Sequence, residues 1–158
     1  MPSHGNEEAF QDALRRALER LRRSDAFEAE LRTLLEAKGF DQATVEKAMT
    51  WLRENRMLND ARVVEQALSK RSGSRARGAD AIRAELLKRG APEEEVDRQL
   101  ALLSPESVQG QMQDLLTKKC KISDSRSKAA RMLLSRGFDE DAVASALDTF
   151  FGSSEAWN

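Results

Sequence analysis

Tyrosine is missing from this chain altogether, and aromatic residues make up only 5% of it. A core with so few rings has to be built from Leu, Ala, Val and Met, which apart from Val are good helix formers. Cys120 is the only cysteine, which rules out an internal disulfide and disfavours a stapled, secreted fold. His4, the lone histidine, sits in a polar N-terminal stretch and cannot by itself anchor a catalytic triad or an ordinary metal site. With 3 Pro and a 40% hydrophobic share, the composition is not that of a disordered chain. No apolar run approaches a membrane span, and the start MPSHGNEEAFQ lacks the regions of a signal peptide, so a cytoplasmic location is expected. A charge surplus is lacking as well. The 26 Lys and Arg face 27 Asp and Glu, so any pull toward nucleic acid or membrane must come from local clustering. No glycine-rich phosphate loop or nucleophile motif occurs. An enzyme is the poorest fit, and no cofactor or metal is implied.

What the chain does have is one phrase written three times. LLEAKGFDQATVEKAM begins at Leu34, LLKRGAPEEEVDRQL at Leu86, and LLSRGFDEDAVASAL at Leu133. Aligned on Gly39, Gly90 and Gly137, the copies stand 51 and 47 residues apart, a spacing expected of helical repeats. Leu35, Leu86 and Leu133 then coincide, as do Val45, Val96 and Val143. Before the first glycine, Phe27, Leu31, Leu34 and Leu35 follow a helical period. After it, Val45, Ala48, Met49 and Leu52 stand at i, i+3, i+4 and i+7, one apolar stripe on a helix. Glycine suits the left-handed residue just past a helix end. Phe40 over Leu35 and Phe138 over Leu133 suit the accompanying cap contact, and Asp41 and Asp139 sit where a carboxylate caps the next helix. In the second copy Pro92 and Glu93 to Glu95 serve that helix start instead.

A further helix is expected ahead of each pair, over 9–22, 59–71 and 105–119, with Asn59 or Asp60, and Ser104, as caps. A helix of about 14 residues is roughly 21 Å long and cannot bury its stripe alone. The expected fold is therefore all-α, with three tandem three-helix repeats stacked into an elongated, curved array. The repeats are placed at 9–57, 58–103 and 104–151, between a flexible N-terminus, 1–8, and a flexible tail, 152–158.

Four stretches carry a resemblance to a known family. They are ALRRALERLRRSDAFEAELRTLLEAKGFD, MLNDARVVEQALSKR, GADAIRAELLKRGAPEEEV and KAARMLLSRGFDEDAVASAL, and together they cover most of residues 9–151. In order and spacing this arrangement resembles the RecX family, bacterial modulators of the RecA recombinase. The chain departs from that pattern in lacking a Phe near Val63 and Val64 and an aromatic at Ala67, and in the small residues of SGSRARG. The resemblance implies a regulatory protein without catalysis of its own, active in DNA repair, recombination and the SOS response. It implies binding in the groove of the RecA–DNA filament, with filament growth, ATP hydrolysis and strand exchange lowered. A monomer is expected. The alternatives are a helical-repeat nucleic-acid binder that needs no recombinase, and a scaffold for some unrelated partner.

The candidate contact residues are basic. Lys70, Arg71, Arg75, Arg77, Arg83, Lys88 and Arg89 form the densest cluster, interrupted by Asp80 and Glu85. Lys118, Lys119, Lys121, Arg126, Lys128 and Arg131 form a second, which could extend the same surface. Such runs face DNA phosphates or acidic groups of a partner, or are solvated faces with i, i+4 pairs. No aromatic interleaves the first cluster, so base stacking is disfavoured and DNA contact would run through phosphates. Cys120 in KKCKIS reads as an incidental thiol, or as a redox-responsive one if its lysines lower the pKa. Trp51 reads as partly buried rather than as a partner contact. Asp139 and Asp141 are explained by a helix start.

Overall fold

A computed structural model describes residues 4–71 and 73–152, the side chain of His4 excepted. Trp157 and the expected tail beyond Gly152 lie outside the described residues, as do residues 1–3. Among the described residues every regular element is helical. In order they are α1 (His4–Arg23), α2 (Glu28–Ala37), α3 (Gln42–Glu54), α4 (Asp60–Ser69), a 3-10 turn (Gly73–Arg75), α5 (Ala79–Lys88), α6 (Glu93–Ala101), α7 (Pro105–Lys119), α8 (Arg126–Ser135) and α9 (Glu140–Phe151). None of these helices is long and apolar enough to cross a membrane.

The three phrases fold as helix, tight turn and helix, and their glycines take the left-handed conformation, with φ of +91° at Gly39, +97° at Gly90 and +85° at Gly137. In the first copy the Phe40 N–H donates to the Leu35 carbonyl at 3.3 Å, and in the third the Phe138 N–H donates to Leu133 at 3.4 Å. These bonds satisfy the last carbonyls of the ended helix. The next helix starts on its aspartate, since Asp41 accepts from the Thr44 N–H at 2.7 Å and Asp139 from the Ala142 N–H at 3.2 Å. Ser104 caps α7 in the same way, accepting from the Ser107 N–H at 3.0 Å.

Of the two expected cap candidates for α4, Asn59 takes the role, accepting from the Arg62 N–H at 3.0 Å. Asp60 turns instead to α2 and accepts from the Glu28 N–H at 3.0 Å, an otherwise orphaned donor of that helix's first turn. Helix α1 begins at His4, ahead of the start expected at residue 9. Contacts to α3 explain it: the Lys47 ammonium pairs with Glu7 at 3.2 Å and lies 4.4 Å from the Phe10 ring centroid.

The chain divides into two compact units, one of residues 1–64 with 87–95, the other of 65–86 with 96–158. The core of the first is built by α1, α2 and α3, with Phe10, Leu14, Leu31, Leu35, Val45, Met49 and Leu52 buried together. Trp51 is half-buried against it, as its sequence position suggests. The core of the second is built by α7, α8 and α9, with Met112, Leu115, Leu116, Leu133, Phe138, Val143 and Leu147. Ala76, from the chain following the 3-10 turn, is completely buried in that second core.

One contact recurs inside both units. In the first, the Gly90 turn lies so close to α2 that a Cβ there would stand 2.7 Å from the Ala29 Cβ. In the second, a Cβ on Gly137 would overlap Ala81 at the start of α5. Gly39 has open space around it, so there the backbone conformation alone requires glycine.

Candidate functional site

The thirteen basic candidates separate into two groups by exposure and by partner. Arg71, Arg77, Arg83, Arg89 and Arg126 are half-buried, and each meets a carboxylate. Glu85 on α5 takes both Arg71 and, at 3.0 Å, Arg77. Arg83 forks onto Asp97 of α6 at 2.7 and 3.3 Å, and that hydrogen bonding holds the Asp97 carboxyl below its usual range. Arg89 donates to Glu30 at 3.0 Å with its guanidinium 4.9 Å from the Phe27 ring centroid. Arg126 meets Asp148 of α9 at 2.6 Å.

The other eight are Lys70, Arg75, Lys88, Lys118, Lys119, Lys121, Lys128 and Arg131. All are exposed, and none forms an ion pair among the described residues. Charges without an internal partner keep their field for something outside the molecule. Seven of them belong to the second unit, and Lys88 to the first.

Within the second unit the structure joins the two basic clusters at one place. The 3-10 turn packs on α7. Gly73 has φ of +58°, and a Cβ there would stand 3.1 Å from Lys118 Nζ, so the ammonium of the second cluster lies directly beside the strap that carries the first. Arg75 ends that turn and is exposed. A residue outside both clusters fixes the arrangement. Arg136, at the C-terminal cap of α8, donates from Nη1 to the Ser74 carbonyl at 2.9 Å and to the Ala76 carbonyl at 3.2 Å. Its own carbonyl accepts from the Gly78 N–H at 2.8 Å. Gly78 in turn has no room for a side chain, because a Cβ would overlap the main chain at Gly137 and Phe138. Nothing local in the sequence singles out Arg136 or Gly78. Each lies about sixty residues from its partner, and no local periodicity records such a pairing.

Cys120 corrects one alternative. Its thiol is pushed up by burial, with the Asp124 carboxylate adding to the effect and Lys128 only partly opposing it. The neighbouring lysines therefore do not activate it, and a thiolate-based redox role loses its premise. Among the described residues, no cluster of three His, Cys, Asp or Glu is placed to hold a metal ion.

No protein-family model matches the chain. Known proteins do resemble it. The regulatory protein RecX of Chromohalobacter salexigens is 32% identical over 142 residues, covering 83% of this chain and 88% of that one. The regulatory protein RecX of Clostridium perfringens strain 13 is 29% identical over 147 residues, covering 88% and 68%. The crystal structure of RecX from Lactobacillus salivarius superposes with a TM-score of 0.80 over 91% of this chain and 97% of that one, at 17% identity.

Proposed function

The chain belongs to the RecX family of regulatory proteins, and from that premise we propose that it binds the RecA–DNA filament and restrains it. In this reading it slows filament growth and lowers ATP hydrolysis and strand exchange by the recombinase during DNA repair and the SOS response. It needs no active site for this, because occupying a binding groove is enough. The observation that carries the reading is the partition of the basic residues. Exposed cations without internal partners gather on the second unit, where Lys118 meets the strap bearing Arg75. Such a surface suits the phosphates of filament DNA or acidic groups of the recombinase, and contact through it would be salt-sensitive.

The test adds the protein to RecA on single-stranded DNA and follows ATP hydrolysis. A progressive fall in the hydrolysis rate with added protein is expected. An unchanged rate at several-fold molar excess, with folding verified by circular dichroism, refutes the reading. The second reading, a nucleic-acid binder that acts alone, draws on the same exposed cations. It predicts tight, salt-dependent binding to DNA without RecA, and a hydrolysis rate that falls only when DNA is limiting.

A further inference from the structure

We infer that Arg136 is a positioning residue. It locks the strap of residues 73–78, against which Lys118 lies at Gly73, into the one shape that presents Arg75 to a phosphate chain. The inference rests on the reading that this face of the second unit touches a phosphate-bearing partner.

The strap has little to hold it by itself. Its residues are small or basic, GSRARG, and its only regular element is three residues long. Besides the ion pair from Arg77 to Glu85, three contacts fix it, and they meet at one turn. Ala76 is anchored in the core of the unit. The Gly78 N–H bonds the Arg136 carbonyl at 2.8 Å, and the missing side chain of Gly78 lets the two main chains touch. The Arg136 guanidinium then takes the Ser74 and Ala76 carbonyls, which bracket Arg75 on either side. With both flanking carbonyls held, the backbone of Arg75 has one conformation, and its side chain is displayed outward. Both bonds leave one nitrogen, Nη1, whose two N–H groups are held in fixed directions by the guanidinium plane, whereas a lysine ammonium has donors enough but turns freely on a flexible stem and fixes none of them. The charge of Arg136 is spent on those carbonyls, so it orders the contact surface without having to touch the partner.

The experiment compares wild type with Arg136→Ala, Arg136→Lys and Arg75→Gln. A fluorescein-labelled single-stranded oligonucleotide serves as the probe, titrated at several salt concentrations. In parallel, amide exchange at Gly78 reports on strap order. The expected result for Arg136→Ala and Arg136→Lys is weaker binding, a salt slope smaller by about one, and Gly78 exchange faster by about tenfold or more. For Arg75→Gln, which leaves the clamp intact, the same loss of slope is expected with Gly78 exchange unchanged; this variant keeps the test valid should Arg136→Ala unfold. If wild type fails to bind the oligonucleotide at low salt, the phosphate-contact reading falls, and the inference with it. If wild type binds and the Arg136 variants lose strap protection but keep affinity and slope, the positioning role alone is overturned. If Arg136→Lys binds like wild type while its strap exchanges as fast as in Arg136→Ala, then Arg136 acts by its charge and the inference is again overturned.

Discussion

Gly78→Ala adds a single methyl group, yet it should be among the most damaging small substitutions this chain can carry. The new Cβ would stand inside van der Waals distance of three main-chain atoms, the carbonyl carbon and oxygen of Gly137 and the nitrogen of Phe138. Main chain cannot rotate out of the way as a flexible side chain can, so the turn has to withdraw. Forcing an extra methyl into a closed contact costs about 1–3 kcal/mol. Withdrawal also breaks the 2.8 Å bond from the Gly78 N–H to the Arg136 carbonyl and pulls the Arg136 guanidinium away from the Ser74 and Ala76 carbonyls. Those bonds contribute about 1 kcal/mol for the neutral one and about 1.5–3 kcal/mol for a charged donor. The terms overlap, because the same movement relieves the clash and breaks the bonds, and a total of about 3–5 kcal/mol is expected. In urea, with a slope of about 2 kcal/mol per molar, that moves the unfolding midpoint of the second unit down by about 1.5–2.5 M. Two units need not melt together, so the assay should follow amide exchange at Met112, Leu115 and Leu116 of that unit's core alongside circular dichroism. Gly110 supplies the control, a glycine inside α7 with nothing near its added Cβ. A Gly78→Ala midpoint within about 0.3 M of wild type would mean that the two main chains do not touch, and the account of the strap would be wrong.

Gly110→Ala itself should stabilise by about 0.5–1 kcal/mol, because alanine loses less backbone freedom in a helix interior; a lower midpoint would show that α7 is not helical there. Asp60 is half-buried, and that burial raises its carboxyl above the ordinary value despite the Glu28 N–H it accepts. A raised folded pKa means that its contribution is full below the unfolded pKa and is lost as pH rises through the folded one. Asp60→Asn keeps an acceptor for Glu28, so it should melt higher than wild type at neutral pH, with the gap closing as pH falls through the carboxylate range. A gap that widens on acidification would contradict the burial argument. Arg75→Glu combined with Lys118→Glu should abolish the fall in RecA ATP hydrolysis while leaving the thermal midpoint within a degree or two, as surface changes usually do. Lys38→Glu, at an exposed lysine of the first unit, should leave that fall intact; equal damage from both would mean that total charge, and not this surface, governs binding.

The helices and their ends were legible because their signals are local. Gly39, Gly90 and Gly137 marked left-handed caps, and Asp41, Ser104 and Asp139 marked helix starts, each at a fixed distance from an apolar stripe. The structure bears these out bond by bond. What could not be read was any pairing made only by the fold. Asp60 was one of two cap candidates for its own helix and serves α2 instead, while Asn59 caps α4. The stretch 73–78 stood out only as a departure from the family pattern and as the carrier of Arg75 and Arg77. It is clamped by Arg136 and rooted by Ala76, neither of which is conspicuous in the sequence. Of the three turn glycines, the sequence gives no hint that Gly90 and Gly137 carry a second requirement, close approach to Ala29 and Ala81, that Gly39 does not share.

One signal inside the basic runs was legible in principle, and it sharpens the choice of contact residues. All five candidates that the fold pairs with carboxylates are arginines, and six of the eight left exposed are lysines. The sorting follows from the side chains. A guanidinium is weakly hydrated and forks onto a carboxylate, so it tolerates half-burial in an ion pair, whereas an ammonium holds its water and stays outside. Arginine in these runs is therefore explained by internal pairing, except at Arg75 and Arg131, where it is exposed and has no ion-pair partner among the described residues. Packing gives no reason for arginine over lysine at those two positions. Under the proposed function, bidentate contact with an external phosphate or carboxylate would supply one, and Arg75 is the residue that the Arg136 clamp brackets.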